Sequence, residues 1–476
     1  MRHLAIRGLV VGLLSLVASA TADSPPNIVY IISDDHTWSD FGFMGNERVH
    51  TPHLDALAAK AATFPNGYLP TSVCRPSLVT LLTGLYPHQH GVHFNHGPPG
   101  NAGYNRMTSV NEYVRTRGKE FELIERVPTL PGVLGEAGYR SLQTGKFWEG
   151  HWRNGGFTEG MTTFTAPPAG QKFGGVRKLA SGEKVAHGNG DAGLRIGRET
   201  MKPITDFIVE CETEGTPWLV WYAPYLPHQP HDSPEKFYDL AKARPDVEEH
   251  EIPYFAAIAQ FDETVGELVS FVEANGDADN TIFVFVSDNG WAPGTKPQRG
   301  REKEFAHTKT SKRAPFDEGV RSPVLIRWDG RIDPGTHEEL VSSIDIVPTL
   351  LSVAGAANDR SSDLPGVDLI EGLANDALDS SRAVFGEIHP GDAYSLGHPE
   401  RHVAYRWVRQ GDYKLIATHG EDTWGGYLES DALFHVAEDP AEKENLIDDP
   451  ALAEVVASLR GRLDAWWDGK TNVLGR

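Results

Sequence analysis

Two pairs of oxygen-bearing side chains follow the two most strand-like runs of the sequence, NIVYIIS and TIFVFVS. The pairs are Asp34 with Asp35, and Asp288 with Asn289. Continuous apolar runs of this length predict strands buried on both faces of a parallel sheet. Because ligands gather at the carboxyl ends of such strands, we expect the four side chains to meet there. With one further oxygen they would form the shell of a divalent cation, and an irregular oxygen shell suits Ca²⁺ better than Mg²⁺.

Cys74 is one of only two cysteines, and it stands where a loop is predicted to turn into a helix. Pro76 falls in the first turn, and leucines at 78, 81, 82 and 85 give the helix an apolar face. Backbone amides and the helix dipole at such a position favour a bound anion. A buried structural cysteine is the simpler alternative for a residue of this kind. The other cysteine, Cys211, fits a buried thiol, so the pair does not indicate a disulfide framework.

The residues from Cys74 onward read Cys-x-Pro-Ser and then Leu-Leu-Thr-Gly. This resembles the signature of the formylglycine-dependent sulfatases, members of the alkaline-phosphatase-like superfamily, and the resemblance covers nearly the whole mature chain. It implies that a formylglycine-generating maturation enzyme oxidises Cys74 to 3-oxoalanine (formylglycine). In this family the hydrated aldehyde of that residue attacks the sulfur of a sulfate ester.

The same resemblance implies roles for further residues. Lys146 follows Gly145, and Lys312 opens the segment KRAPFDEGVRSP; both match family lysines that bind sulfate oxygens. His228, held between two prolines, matches the general acid that protonates the leaving alcohol. The implied metal ligands are the four oxygen side chains named above, together with Cys74 in its oxidised form.

Two positions depart from the family pattern. Leu78 stands where the family has an arginine read by the maturation enzyme, and on a helix it shares the face of Cys74. Arg75 is the nearest cation that could substitute there and bind the substrate. Trp148 stands where the family has a histidine that removes a proton from the sulfated intermediate. Four histidines could supply that base, and the sequence does not choose among them: His36, His88, His90 and His151.

The elements that position these residues alternate between apolar runs and amphipathic helices. Strands are predicted over 139–144 and 217–222, leading into Lys146 and His228, and helices over 51–62 and 253–275. This order predicts an α/β fold of the alkaline-phosphatase-like kind, with a large mostly parallel sheet sandwiched by helices.

Two long stretches show little periodicity, and the last part of the chain changes in character. Residues 97–125 are polar and irregular, whereas 149–195 are Gly-rich and carry scattered aromatic residues, as is typical of a lid or substrate wall. Beyond residue 375, short alternating runs predict a small antiparallel sheet closed by a helix over 451–466. We therefore expect a catalytic domain at 23–375 and a C-terminal α+β subdomain at 376–476.

Composition and the N-terminal segment indicate which partners the protein can have and where it is located. The 476 residues carry a formal net charge of −22, which argues against nucleic acid or an anionic membrane surface as a partner. Arg2, His3 and Arg7 precede an apolar run over 8–20, and Ala-Thr-Ala then forms a signal cleavage site at residue 22. These features predict export to a periplasm or the exterior, with no membrane anchor after cleavage.

The leading functional hypothesis is an exported, metal-dependent sulfuric ester hydrolase that acts on a sulfated carbohydrate. Four tryptophans could stack on sugar rings, although each fits a core or rim position equally well: Trp148, Trp152, Trp291 and Trp424. A phosphate or phosphonate ester hydrolase of the same superfamily is the first alternative, because lysines and a metal do not by themselves distinguish sulfate from phosphate. A non-catalytic binder of sulfated glycans is the second, should Cys74 remain a thiol.

Overall fold

The computed structural model describes residues 24–167, 173–295, 307–358, 363–389, 391–419 and 427–474. The predicted signal segment and Trp424 lie outside these residues. The strands, in chain order, are β1 (Asn27–Ser33), β2 (Ala62–Phe64), β3 (Gly67–Tyr68), β4 (Arg140–Gly145), β5 (Glu159–Gly160), β6 (Val176–Lys178), β7 (Lys184–Ala186), β8 (Trp218–Ala223), β9 (Thr281–Ser287), β10 (Val324–Arg327), β11 (Gly335–Thr336), β12 (Val341–Ser342), β13 (Ala383–Ile388), β14 (Tyr405–Gln410), β15 (Tyr413–Thr418) and β16 (Ala432–His435).

The α-helices lie between and after these strands. In chain order they are α1 (Pro52–Ala58), α2 (Cys74–Thr83), α3 (Pro87–His90), α4 (Asn101–Arg106), α5 (Val110–Phe121), α6 (Leu130–Glu136), α7 (Lys202–Glu214), α8 (Glu235–Lys242), α9 (Ile252–Asn275), α10 (Asp317–Val320), α11 (Ile346–Val353), α12 (Leu369–Ala374) and α13 (Ala453–Trp466). None of these helices is long and apolar enough to cross a membrane.

The largest sheet has the strand order β11-β2-β10-β9-β1-β8-β4-β5. Its pairings are parallel except that β10 runs antiparallel to both of its neighbours. β1 pairs with β9 in register along its whole length, from Asn27 opposite Thr281 to Ser33 opposite Ser287. The residues that follow these two strands therefore leave the same edge of the sheet side by side.

Helices cover both faces of this sheet, which confirms the predicted α/β sandwich. Successive side chains of β1 point to opposite faces, so Ile28 and Tyr30 join one buried cluster and Val29 and Ile31 join another. Apolar residues of α2, α6 and α11 pack in the first cluster, and those of α1, α7 and α9 pack in the second. Because both faces are buried, the strand is apolar throughout between its polar ends, Asn27 and Ser33.

The small C-terminal sheet is confirmed as an antiparallel meander of β13, β14, β15 and β16. On one face α13 packs through Leu459 and Leu463. On the other face, Trp407 and Phe434 share a buried cluster with residues of the large part, including Tyr68. The two parts of the chain are therefore joined by a common core.

Two predictions about elements were wrong. The helix predicted over 51–62 ends at Ala58, and residues 62–64 form strand β2 instead. The stretch 97–125, predicted to be irregular, contains α4 and α5, and the Ser109 side chain caps α5 by accepting a bond from the Glu112 amide. The inward face of α5 includes the charged residues Arg117 and Glu120, so no apolar period marks it in the sequence.

Candidate active site

The two pairs of oxygen-bearing residues leave the sheet at the carboxyl ends of β1 and β9. The Asp288 amide donates to the Ser33 carbonyl over 2.8 Å, which extends the strand pairing by one step. Asp35 then adopts a left-handed backbone conformation, with φ of 62°, and its amide donates to Asp288 Oδ1 over 2.9 Å. A non-glycine residue in this region is uncommon and often marks a functional turn. The turn brings the two pairs of side chains together.

Several oxygens of this cluster are buried without a hydrogen-bond partner among the residues that the structure describes. They are Asp34 Oδ2, Asp288 Oδ2 and Asn289 Oδ1. Buried polar atoms are nearly always bonded. Unpartnered oxygens at one edge of the sheet therefore indicate a site for a positively charged ligand. Side-chain oxygens are the ligands that Ca²⁺ and Mg²⁺ prefer, and the residues present therefore fit a hard divalent cation.

Two buried lysines reach the same carboxylates. Lys146 Nζ lies 2.5 Å from Asp34 Oδ1 and 3.6 Å from Asp288 Oδ2, and Lys312 Nζ lies 2.6 Å from Asp35 Oδ1. Lys146 follows Gly145, whose φ is +70° and where a side chain would collide with the Ala223 carbonyl, so only glycine allows this turn. The sequence-predicted metal ligands and lysines are thus brought to one place.

Burial and the lysines act on the carboxylates in opposite directions. Burial raises the pKa of Asp34, and the charge of Lys146 only partly offsets it. Burial also favours protonation of Asp35, but Lys312, His228 and Lys146 outweigh it and hold the pKa of that carboxyl below its usual value. Cations close to the cluster therefore decide which carboxyl is ionised.

Cys74 is the first residue of α2, at the helix mouth where the sequence predicts it. Its Sγ lies 3.7 Å from Asp35 Oδ1. One oxygen each of Asp34 and Asp35, Cys74 Sγ and a ring nitrogen of His228 lie within 4.8 Å of one another. Burial raises the pKa of the Cys74 thiol to about 12, so an unmodified Cys74 is protonated at neutral pH and is a poor nucleophile.

His228 faces the cluster through one ring nitrogen. Its Nδ1 lies 2.6 Å from the Gln229 carbonyl oxygen, which only accepts, so Nδ1 carries a hydrogen. Its Nε2 lies 3.4 Å from Asp35 Oδ2. Burial lowers the pKa of His228; the Asp35 charge opposes this effect, and the Lys312 and Lys146 charges add to it. The Tyr225 ring stacks on the imidazole, with ring centroids 4.3 Å apart.

A pocket of about 280 Å³ opens beside the cluster. Asp35, Cys74, His228 and Lys312 line part of it. The remaining lining residues are Asn95, His96, Asn101, Trp148, Gly174, His187, Asn189, Tyr225, Gln229, Trp291, His307 and Arg313. Three of them come from the Gly-rich stretch predicted to form a lid or substrate wall.

Residues 26–356 match the profile of the sulfatase family. The chain belongs to the sulfatase family. Residues 306–468 also match the C-terminal region of N-sulphoglucosamine sulphohydrolase. The family is the one that the Cys74 motif resembles, within the alkaline-phosphatase-like superfamily, and hydrolysis of sulfate esters follows as the activity. The phosphate ester alternative is not favoured.

Known relatives extend this match over most of the chain. Arylsulfatase A of Bos taurus is 28% identical over 477 residues, which covers 91% of this chain and 86% of the relative. N-acetylgalactosamine-6-sulfatase of Canis lupus familiaris is 26% identical, with coverage of 90% and 83%. The crystal structure of Ps i-CgsB in complex with k-i-k-neocarrahexaose has a TM-score of 0.68 at 19% identity and covers 94% of both chains, which shows a shared fold.

The first departure from the family motif concerns Leu78 and its proposed substitute, Arg75. Leu78 is buried in the apolar core that α2 forms with the sheet. Arg75 does not line the pocket. Its Nε and Nη2 each donate over 2.7 Å to Glu149, and its Nη1 donates to Glu120. Because these donors are already used, the expectation that Arg75 binds substrate is not met.

The four histidines proposed to replace the base at Trp148 all lie outside the pocket lining. His36 bonds Ser33 Oγ and the Asp40 carbonyl through its two ring nitrogens. His88 pairs with Glu387, His90 contacts Thr80, and His151 lies beside Arg153. Two histidines that were not predicted, His96 and His187, lie against the Trp148 ring, with centroids 5.5 and 5.6 Å away.

Of the tryptophans predicted to stack on sugars, Trp148 and Trp291 line the pocket. Trp152 packs at the edge of the large core instead, with the Arg153 guanidinium 4.1 Å from the centre of its ring. Asn189 was also missed. No motif marked Asn189, His96 or His187. The only sequence signal was the Gly-rich composition around His187 and Asn189.

Proposed function

We propose that this sulfatase is an exported enzyme that releases sulfate from a sulfated carbohydrate, using formylglycine derived from Cys74 and one divalent cation, Ca²⁺. The observation that carries the proposal is the cluster of unpartnered buried oxygens beside Cys74, with two buried lysines among them. The carbohydrate class is supported by the relatives, one of which is named for N-acetylgalactosamine 6-sulfate and another of which was solved with a neocarrahexaose.

Asp34, Asp35, Asp288 and Asn289 would hold the cation. Their side chains offer oxygens from two different loops, and an oxygen set of this kind would suit Ca²⁺, which tolerates irregular shells better than Mg²⁺ does. When bound, a divalent cation would supply positive charge for the sulfate oxygens at the start of α2.

Cys74 would supply the nucleophile after maturation by a formylglycine-generating enzyme. The protonated thiol is poorly suited to attack, because burial raises its pKa to about 12. Its place at the first turn of α2 suits an anionic substrate, since the backbone amides and the helix dipole face it.

Lys146 and Lys312 would turn from their carboxylate partners to the sulfate oxygens and stabilise the charge that develops there. His228 would hold a proton at Nε2 for the leaving alcohol, because its Nδ1 hydrogen is bound to the Gln229 carbonyl. An anionic substrate beside the ring favours the protonated imidazole, which opposes the effect of burial on its pKa.

Export would follow from the N-terminal segment, with Ala-Thr-Ala at residues 20–22 as the cleavage site. The extracellular or periplasmic location would expose the enzyme to sulfated polysaccharides and their fragments. The net charge of −22 is compatible with this role because the cations that contact the substrate are local.

The proposal is tested by the mass of the peptide that contains Cys74, from protein made in its native host. We expect the mass of the aldehyde or its hydrate, together with sulfate release from sulfated sugars that is absent in a Cys74→Ala variant. A Cys211→Ala variant is the matched control. That thiol is buried in α7 and does not line the pocket, so its removal should leave activity unchanged. An unmodified Cys74 thiol in active enzyme would rule out the formylglycine mechanism.

A further inference from the structure

The pocket has a second set of polar side chains that the proposed chemistry does not use. We call His96, Trp148, His187 and Asn189 the polar wall. Four of its atoms are buried and lack a hydrogen-bond partner within the described part of the chain: His96 Nε2, Trp148 Nε1, His187 Nδ1 and Asn189 Oδ1. Leaving such atoms unbonded costs free energy, so their concentration in one pocket indicates a ligand that bonds them.

His96 presents a hydrogen-bond acceptor. Its Nδ1 lies 3.1 Å from Asp392 Oδ1, and a carboxylate oxygen only accepts, so the ring hydrogen sits on Nδ1. Nε2 is left with its lone pair. Burial lowers the pKa of His96 to about 4, so the ring is neutral at pH 7. Asp392 is itself fixed, because it accepts a bond from the Asn101 amide over 2.9 Å.

His187 presents a donor by the same reasoning. Its Nε2 lies 3.2 Å from Arg177 Nη2, and a guanidinium only donates, so Nε2 accepts and the hydrogen sits on Nδ1. Burial and the charge of Arg177 lower the pKa of His187, which keeps the ring neutral. Arg177 is held in turn by Asn101 and Asn105, so the orientation of the imidazole is fixed from behind.

The polar wall therefore offers two donors and two acceptors and carries no charge of its own. The donors are Trp148 Nε1 and His187 Nδ1, and the acceptors are His96 Nε2 and Asn189 Oδ1. A hydroxyl group both donates and accepts, so a row of sugar hydroxyls satisfies all four atoms. A second sulfate or a carboxylate only accepts, and it would leave both wall acceptors facing an anion.

We propose that the polar wall is a sugar subsite that binds the free hydroxyls of a single sugar residue, whose only charged group is the sulfate at Cys74. The inference rests on the proposed function, since it assumes a sulfated carbohydrate. The volume of about 280 Å³ lies just below the usual range of ligand pockets, roughly 300–1,000 Å³, so one ring fits and a longer chain must extend outside.

The test is calorimetric binding of a panel of sulfated hexoses and N-acetylhexosamines to full-length protein with Cys74→Ala, loaded with Ca²⁺. Adding Asn189→Ala or His187→Phe should weaken Kd about fivefold to tenfold, the range expected for one lost hydrogen bond. Lys184→Ala is the matched control, because it is exposed on β7 in the segment that leads to the wall, and it should leave Kd unchanged.

A sugar analogue provides the more specific readout. The parent protein should bind the analogue that lacks the hydroxyl next to the sulfated carbon more weakly by the same factor. One of the two wall variants should no longer distinguish the analogue from the complete sugar, since the partner of that hydroxyl is gone. A structural effect of the substitution would instead weaken both ligands equally and would leave the discrimination intact.

The outcomes separate this inference from the proposed function. Equal Kd values for parent and wall variants, or no binding by any member of the panel, would overturn the subsite. Sulfate release by protein with Cys74 intact, measured on the same sugars and on 4-nitrophenyl sulfate, tests the proposed function independently. Binding that depends on the wall without any sulfate release would uphold the subsite and refute the catalytic proposal.

Discussion

Leu78 and Cys74 lie one helical turn apart, yet their side chains have different environments. Cys74 faces the carboxylate cluster, whereas Leu78 is 4% exposed and packs among apolar residues of the core. The position that holds an arginine in the family motif is thus part of the hydrophobic core in this sulfatase. A maturation enzyme that acts on this chain must recognise Cys74 without a cation at that position.

Restoring the family arginine should therefore harm the protein. We expect Leu78→Arg to lower the free energy of unfolding by about 3–5 kcal/mol, because a charge without a partner would be buried in the core. Urea denaturation measures the change. Leu78→Met, which nearly conserves volume, should cost less than about 1.5 kcal/mol. An arginine variant as stable as the methionine variant would show that position 78 can reach a carboxylate or solvent.

At the scale of elements, α2 is tied to its neighbours by one buried cation. Arg75 of α2 bonds Glu120 of α5 and Glu149 of the loop after β4, and all three side chains are almost fully buried. Arg117, also in α5, bonds the same Glu120 carboxylate. This network fixes the start of α2, and with it Cys74, relative to the loop after β4 that carries Lys146.

Removing that cation should be costly. Arg75→Met would leave two buried carboxylates without this partner, and we expect a loss of about 3–5 kcal/mol in the free energy of unfolding. Arg126→Met is the matched control, because Arg126 pairs with Glu122 at the surface over 4.0 Å and should change stability by less than about 0.5 kcal/mol. Similar losses of unfolding free energy in both variants would mean that the buried Arg75 network stabilises the protein no more than an exposed ion pair does.

The elements also show what the sequence could predict. The strands β1 and β9 were predicted to the residue, because an apolar run ends sharply where its side chains must become polar. The meeting of Asp34 and Asp35 with Asp288 and Asn289 followed from the same boundaries, since neighbouring parallel strands end at one edge. Helix α5 was missed because its buried face is partly charged. Glu120 is stabilised there by Arg117 of the same helix and by Arg75, which is distant in sequence.

The polar wall could not be predicted for a related reason. His96 and His187 are isolated histidines in segments without a periodic pattern, and their spacing carries no motif. They acquire a shared environment only when the loops after α3 and β7 fold against Trp148. Tautomers and unpartnered atoms, from which the subsite is inferred, are properties of tertiary contacts and leave no trace in local sequence.

For the whole molecule, a bound cation would link the site to overall stability. We expect chelation to abolish sulfate release and to lower Tm, because a ligand of the folded state stabilises it by about 2.7 kcal/mol at a hundredfold excess over Kd. Asp288→Ala should reproduce both effects without a chelator. Metal content measured in that variant provides the check, and a content equal to wild type would remove Asp288 from the ligand set.

The two sheets should also unfold together, because their contact is both apolar and ionic. Lys414 of β15 is fully buried, and its Nζ lies 2.8 Å from Asp317 Oδ1 and 3.0 Å from Glu442 Oε1. Asp317 begins α10, five residues after Lys312, and its other oxygen accepts a bond from the Tyr68 hydroxyl over 2.7 Å. The C-terminal sheet therefore supports the segment that carries one of the two lysines of the site.

Scanning calorimetry of the full chain should accordingly give a single transition, and Lys414→Met should move that whole transition downward. The expected loss is about 3–5 kcal/mol, because Asp317 and Glu442 would lose a buried cation while remaining inside the core. Lys443→Met, at an exposed position nearby, should shift it by less than about 0.5 kcal/mol. Two transitions, of which Lys414→Met moved only one, would mean that the C-terminal sheet folds independently and does not support the active-site lysine.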